Sequence, residues 1–130
     1  MVLIGGVVIL ENTDGKHLLI QQSYNKPLGG KWRHPGGKFE PGEDPSSAMI
    51  REIREELGLE IILTQDTPVL ELPSQYDNGT FGFYLGQYIS GNLKVDPKEI
   101  LSYGWFSLEE INKLDLMPGT LEFYHSSKNR

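Results

Sequence analysis

Short runs of hydrophobic residues, separated by turn residues, predict a series of β-strands. Residues 2–10 are almost continuously apolar, which is typical of a buried strand. The turn-forming residues 12–15 follow, so residues 18–22 are expected to return as the second strand of a hairpin. Residues 35–37, a proline and two glycines, predict a turn. Later strands are predicted over residues 59–63, 69–72, 80–89 and 101–106.

The longest helical pattern lies in the middle of the chain. Asp44 is suited to the N-cap of a helix, and Pro45 is suited to its first position. Gly58 is suited to the left-handed residue that ends a helix. These signals together predict a helix over residues 45–57.

Two weaker helical signals lie near the C-terminus. Residues 107–110, Ser-Leu-Glu-Glu, form a capping box that predicts a second helix through about residue 114. Pro118 and Gly119 are expected to interrupt the chain before a last short helix over residues 120–126. Strands mixed with helices predict an α/β fold in which a sheet is covered by helices on its faces.

Three glutamates of the long predicted helix, Glu52, Glu55 and Glu56, fall on one face that is about 100° wide. Their carboxylates repel one another when no cation lies between them. Hard divalent cations prefer oxygen ligands, so this face is a candidate metal site. The alternative is a solvated face of mixed charge, with Arg51 and Arg54 among the glutamates. The helix pattern alone leaves both interpretations open.

Composition limits the classes of protein to which the chain can belong. Its length fits one domain over residues 1–130. A net charge of −6 argues against a general nucleic-acid binder, and it means that a polyphosphate ligand would need a local cation such as a bound metal. The absence of cysteine excludes disulfides and cysteine nucleophiles. Since no apolar run approaches about 20 residues, we expect a cytoplasmic protein that does not bind membranes.

The glutamates also belong to a longer pattern that begins at a glycine. Its order is glycine, five residues, glutamate, seven residues, and then Arg-Glu-aliphatic-x-Glu-Glu-x-Gly-aliphatic. This pattern resembles the Nudix box at every specified position and without a gap. The matching residues are Gly37, Glu43, Arg51, Glu52, Ile53, Glu55, Glu56, Gly58 and Leu59.

The resemblance to the Nudix family implies a fold and a reaction. The implied fold is an α/β/α sandwich with a mixed β-sheet between helices. The implied reaction is hydrolysis of a nucleoside diphosphate linked to another moiety, with Mg²⁺ or Mn²⁺ as cofactor. The short chain favours the MutT-like branch, which converts nucleoside triphosphates to monophosphates and pyrophosphate.

Alternative functions remain open under the same resemblance. ADP-ribose or dinucleoside polyphosphates are the alternative substrates. A non-catalytic nucleotide-binding module is a more distant alternative, against which the intact glutamates count. The family leaves a monomer or a homodimer equally open.

The resemblance also implies roles for individual residues. Glu52, Glu55 and Glu56 match the metal ligands of the family, and the Gly36 carbonyl matches a further ligand. One of these glutamates, or Glu99 before the late strand, would orient or deprotonate the attacking water. The alternative for Glu99 is an exposed loop residue.

Other motif positions are expected to support the site. Glu43 and Arg51 match a pair that braces the loop against the helix, and Gly37 and Gly58 are structural glycines. Lys38 is expected to reach a substrate phosphate, or otherwise to be solvated. The histidines are expected to be surface or packing residues: His17, His34 and His125.

The chain departs from the family pattern where substrates are distinguished. Gln22 replaces an arginine that contacts phosphate in many members, and His34 replaces an apolar or aromatic residue. Thr120 replaces an asparagine that recognises 8-oxoguanine in the MutT-like branch, and threonine lacks the paired donor and acceptor of an amide. Tyr76 has the spacing of diadenosine polyphosphate hydrolases, whereas Pro73 is near the spacing of ADP-ribose hydrolases.

Overall fold

The structure, a computed structural model, describes residues 2–74 and 78–128, within which it contains eight strands and three helices. The strands are β1 (Leu3–Glu11), β2 (His17–Gln22), β3 (Trp32–Arg33), β4 (Gly36–Lys38), β5 (Glu60–Leu63), β6 (Leu70–Pro73), β7 (Thr80–Ser90) and β8 (Ile100–Phe106). The helices are α1 (Pro45–Leu57), α2 (Leu108–Ile111) and α3 (Pro118–Lys128).

Strand β1 is central to a mixed sheet. It runs parallel to β7 and antiparallel to β2 and β4. Strands β5 and β6 pair with β7, and strands β3 and β8 pair with β2, all in antiparallel orientation. The predicted hairpin of β1 and β2 is confirmed, with Glu11 opposite His17.

Helices cover both faces of this sheet because side chains along a strand alternate between its faces. Val8 and Leu10 belong to a core cluster that includes Ile53 of α1. Ile9, between them, belongs to a second cluster that contains residues of α2 and α3. The members from these two helices are Ile111, Phe123 and Tyr124. The predicted α/β/α sandwich with a mixed sheet is therefore confirmed.

The predicted limits of α1 are confirmed at both ends. The Asp44 side chain accepts a hydrogen bond from the Ser47 N–H, as an N-cap does. Gly58 adopts a left-handed conformation with φ of 70°, and its N–H donates to the Arg54 carbonyl. Both signals are local to the chain, which is why the sequence predicts them correctly.

The predicted turn at residues 35–37 is wrong, since Gly36 and Gly37 belong to β4. Gly36 pairs with Val7 and Gly37 with Gly6, both on β1. A Cβ built on Gly36 would lie 2.2 Å from the Gly6 carbonyl oxygen. The two glycines therefore serve the close approach of two strands.

The C-terminal helices differ from their predicted limits. Helix α2 ends at Ile111, three residues before the predicted end near residue 114. Helix α3 begins at Pro118, which the sequence suggested as an interruption. Proline is compatible with the first turn of a helix because the N–H there needs no helical partner. Across the described residues, no helix has the length and apolar character needed to span a membrane.

Candidate active site

An ion pair between Glu43 and Arg51 joins the loop after β4 to α1. Arg51 Nε donates to Glu43 Oε2 at 2.6 Å, and Nη2 donates to Oε1 at 2.9 Å. The backbone N–H of Glu40 also donates to Glu43, at 2.9 Å. These hydrogen bonds, that from Arg51 above all, lower the pKa of Glu43 from 4.5 to about 2. The two-pronged contact fixes the orientation of both side chains.

Glu52 lies against the glycines of β4. A Cβ built on Gly37 would lie 2.7 Å from Glu52 Oε2, so only glycine leaves room for this carboxylate. Burial raises the pKa of Glu52, and the charges of Glu56 and Glu55 add to the rise, whereas Arg51 opposes it. An added cation would therefore stabilise the ionised carboxylate.

Glu56 is held from two sides. Its Oε1 accepts a hydrogen bond from the Gly36 N–H at 3.1 Å, and its Oε2 accepts one from Arg33 Nη2 at 3.1 Å. The side chains of Glu56 and Arg33 are only 17% and 19% exposed. Both carboxylate oxygens thus accept hydrogen bonds within a largely buried part of the site.

Glu55 and Glu99 lie along an open groove of about 670 Å³ beside α1. Glu55 is 60% exposed, and its Oε2 lies 3.0 Å from Arg51 Nη1. Glu99 precedes β8 and forms an ion pair with Lys26. The groove is lined by all four predicted catalytic glutamates: Glu52, Glu55, Glu56 and Glu99.

The geometry brings the carboxylates to one groove but does not gather them around one point. In the described part of the chain, no group of three acidic or histidine side chains is close enough to hold a metal ion. Instead, Arg51 contacts Glu52 and Glu55, while Arg33 contacts Glu56. A metal would have to compete with these guanidinium groups for the carboxylates.

Two other predicted positions lie at the ends of the motif. Lys38 is exposed at the end of β4, where it pairs with Gly5 in the sheet. Gly58 ends α1 and also lines the groove. The structure therefore places Lys38 on the surface.

Histidine and tyrosine form a separate cluster on the opposite face of the sheet. His34 is fully buried, and its Nε2 lies 2.8 Å from the Tyr124 hydroxyl. The same hydroxyl lies 2.8 Å from Nδ1 of His17, while His125 is exposed. Burial lowers the pKa of His34 to about 3. The interpretation of the histidines as packing or surface residues is confirmed.

The positions that depart from the family pattern lie in different environments. Thr120 is buried at 5% exposure and Pro73 ends β6. Tyr76 lies outside the described residues, so the structure does not test its spacing. Gln22 ends β2, and its Oε1 accepts a hydrogen bond from Arg33 Nε at 3.1 Å.

Arg33, which contacts the groove residue Glu56, is a residue of the site that the sequence did not predict. It is separated from Glu56 by 23 residues, and only the pairing of β3 with β2 brings it to the site. The contact between Gln22 and Arg33 follows from the same pairing of β2 with β3. Ile20 lies opposite Arg33, two residues before Gln22.

Comparison with known proteins agrees with this arrangement. The family model of the NUDIX domain matches residues 4–126. Over 122 residues the chain is 43% identical to the nucleoside triphosphatase NudI of Escherichia coli O1:K1, covering 85% of this chain and 86% of that protein. It is 31% identical over 121 residues to putative nudix hydrolase 1 of Caenorhabditis elegans, covering 87% of this chain but only 31% of that protein. The chain thus spans about a third of that relative.

A solved structure shows the same fold over nearly the whole chain. The MutT NUDIX hydrolase from Burkholderia pseudomallei superposes with a TM-score of 0.80 and 28% identity, covering 96% of this chain and 97% of that chain. The mixed sheet between helices defines a domain of the α/β class with a glutamate-lined groove. The chain belongs to the NUDIX family and is a Nudix hydrolase.

Proposed function

We propose that this protein hydrolyses nucleoside triphosphates to nucleoside monophosphates and pyrophosphate, with Mg²⁺ or Mn²⁺ as cofactor. The observation that carries this proposal is the groove that Glu52, Glu55, Glu56 and Glu99 line together. Nucleoside triphosphates are favoured because the similar Escherichia coli O1:K1 protein, matched over 86% of its length, is named a nucleoside triphosphatase.

The residues of the groove fit a hard divalent cation by the chemistry of their donor atoms. Glu52, Glu55 and Glu56 would hold the metal, with the Gly36 carbonyl as a further oxygen donor. Gly37 leaves the space that the Glu52 carboxylate occupies. When bound, the metal supplies charge neutralisation for the phosphates and lowers the pKa of an attached water.

The chain itself positions the reactants and takes up a proton. Water attacks one phosphorus atom of the anhydride between the α- and β-phosphates, the bridging P–O bond breaks, and the two products are the nucleoside monophosphate and pyrophosphate. A carboxylate of the groove, Glu99 or one of the α1 glutamates, receives the proton of the water. The brace of Glu43 and Arg51 joins the loop to α1, and exposed Lys38 would contact phosphate oxygens of the bound substrate.

The direct experiment is a panel of substrates with Mg²⁺, from which the phosphate products are identified. The panel contains the nucleoside triphosphates, ADP-ribose and diadenosine tetraphosphate. We expect turnover of a triphosphate with release of pyrophosphate rather than orthophosphate. Exclusive turnover of ADP-ribose or the dinucleotide would contradict the proposed substrate, and no turnover would contradict the proposed reaction.

Metal binding is tested independently by thermal unfolding. Mg²⁺ or Mn²⁺ at 100 times its dissociation constant should add about 2.7 kcal/mol to the free energy of unfolding, and EDTA should reverse the gain. The matched sample is the Glu56→Gln protein, whose melting temperature should rise less with metal. An unchanged melting temperature at saturating metal would contradict the proposed metal site.

A further inference from the structure

Arg33 holds three different partners at the edge of the groove. Its Nε donates to Gln22 Oε1, its Nη1 donates to the His34 carbonyl, and its Nη2 donates to Glu56 Oε2, each at 3.1 Å. Two of these partners are neutral and one is an anion. The neutral contacts fix the guanidinium plane, while the contact with Glu56 balances its charge.

Each carboxylate oxygen of Glu56 in turn accepts a hydrogen bond from the protein. The Gly36 N–H occupies one oxygen and Arg33 occupies the other, at 3.1 Å each. A divalent cation and a guanidinium group cannot share the same carboxylate oxygen without strong mutual repulsion, because both are positive and the pair lies in a partly buried site. A metal that binds Glu56 through Oε2 therefore displaces Arg33 from this oxygen.

Arg51 and Arg33 contact their glutamate partners in different ways. Arg51 contacts Glu43 through two hydrogen bonds, at 2.6 and 2.9 Å, with both carboxylate oxygens engaged. Arg33 donates a single hydrogen bond to Glu56, at 3.1 Å, and spreads its other donors over neutral acceptors. The contact between Arg33 and Glu56 is therefore the easier one to exchange.

We propose that Arg33 exchanges partners during the catalytic cycle, an inference that rests on the proposed function. In the metal-free protein Arg33 neutralises Glu56. When metal takes the carboxylate, the guanidinium group turns to a phosphate of the substrate while Gln22 and the His34 carbonyl continue to hold its base. Arg33 on β3 thus becomes available to a phosphate once metal has taken Glu56.

The first test measures Mn²⁺ binding to the nucleotide-free protein by electron paramagnetic resonance of the free ion. Arg33→Gln should bind Mn²⁺ about fivefold more tightly than the unsubstituted protein, because the competing cation is gone. The matched control is Arg54→Gln, which also removes one positive charge but from a groove residue that pairs with Glu60. The control should change the affinity by less than about twofold.

The second test measures binding of magnesium pyrophosphate by isothermal titration calorimetry. Arg33→Gln should weaken this binding about tenfold, since a charge-assisted hydrogen bond to phosphate is lost. Arg33→Lys retains the charge without the planar fork, so its affinity should lie between those of the other two proteins. A residue that merely supported the fold would weaken Mn²⁺ binding and pyrophosphate binding together.

The outcomes separate this inference from the proposed function because neither measurement requires turnover. Tighter Mn²⁺ binding combined with weaker pyrophosphate binding supports the exchange. Equal Mn²⁺ affinity in Arg33→Gln and the unsubstituted protein, or weaker affinity in the variant, overturns the exchange alone. Absence of Mn²⁺ binding in both proteins overturns the exchange and the proposed metal site together.

Discussion

The two faces of the sheet accommodate polar side chains in opposite ways. On the α1 face, glutamates remain partly exposed along an open groove and are paired with arginines. On the face covered by α2 and α3, His34 lies fully buried and makes edge-to-face contacts with the rings of Phe83 and Phe123. One face keeps charges accessible, and the other keeps a titratable group neutral.

The pKa values follow this division. Arg51 lowers the pKa of Glu43 to about 2, so this carboxylate is ionised at neutral pH. On the other face, burial lowers the pKa of His34 to about 3 and raises the pKa of the Tyr124 hydroxyl, so both groups stay neutral. Charge in this fold is therefore retained where a cation or substrate can reach it.

The largest effect on turnover is expected from Glu56→Gln in the groove. The amide keeps the shape of the side chain and still accepts the Gly36 N–H, but it lacks the charge that a metal ligand or base needs. Turnover should fall by about 10²–10⁴-fold, while the melting temperature without metal changes little. Steady-state kinetics and thermal unfolding of the same samples measure the two effects.

Glu109→Gln is the matched control for this variant, since it makes the same change at an exposed residue of α2. Its turnover should equal that of the unsubstituted protein. Near-normal turnover of Glu56→Gln would contradict a catalytic role for Glu56. It would also contradict the functional difference between the two faces.

A smaller effect is expected from Glu43→Gln in the brace. Without its partner, the Arg51 guanidinium is free to pair more closely with Glu52 and Glu55, which it already approaches to 3.3 and 3.0 Å. We expect turnover to fall about tenfold because the carboxylates are misplaced and partly neutralised. The control is Glu40→Gln, whose carboxylate is 67% exposed and lies 3.7 Å from Arg51.

The brace also has a pH signature. The pKa of Glu43 lies at about 2 in the folded protein and at 4.5 as an ordinary carboxyl. Its stabilisation is therefore fully present above pH 4.5 and is lost as the pH falls toward 2. Thermal unfolding should show a gap between the unsubstituted protein and Glu43→Gln that closes across this window. A gap that is constant with pH would contradict the ion pair.

Sequence alone predicts those parts of the molecule that local signals determine. The limits of α1 follow from Asp44, Pro45 and Gly58, each of which acts within one turn of the helix. The same reasoning failed for β4, because two glycines after a proline are locally typical of a turn. Only the contact of Gly36 with Gly6, which is distant in sequence, makes this segment a strand.

In the site, too, the sequence predicts local positions but not contacts between distant segments. The spacing of Glu52, Glu55 and Glu56 placed these glutamates correctly on one face of α1 because helical geometry is periodic. Their arginine partners were not predictable in the same way. Arg33 reaches Glu56 through the pairing of β3 with β2, which depends on the whole sheet.

The smallest effect on turnover is expected from His34→Phe on the face opposite the groove. Because the pKa of His34 is about 3 when folded and 6.5 as an ordinary imidazole, the unfolded chain binds more protons between these values. The free energy of unfolding should therefore decrease as the pH is lowered below 6.5. The contribution of this residue is up to about 1.4 kcal/mol per pH unit. His34→Phe should remove that slope and leave turnover at pH 7 within about twofold.

The neighbours of His34 disfavour its protonated form in the folded protein. His17 and Arg33 both oppose its protonation, and the Tyr124 hydroxyl bonds its Nε2 at 2.8 Å. Within the described residues, its Nδ1 has no hydrogen-bond partner, so a proton added there would be buried without compensation. His125→Phe, at an exposed position of α3, is the control that should keep the slope. An unchanged slope in His34→Phe would show that this face, too, admits charge, and the contrast between the two faces would fail.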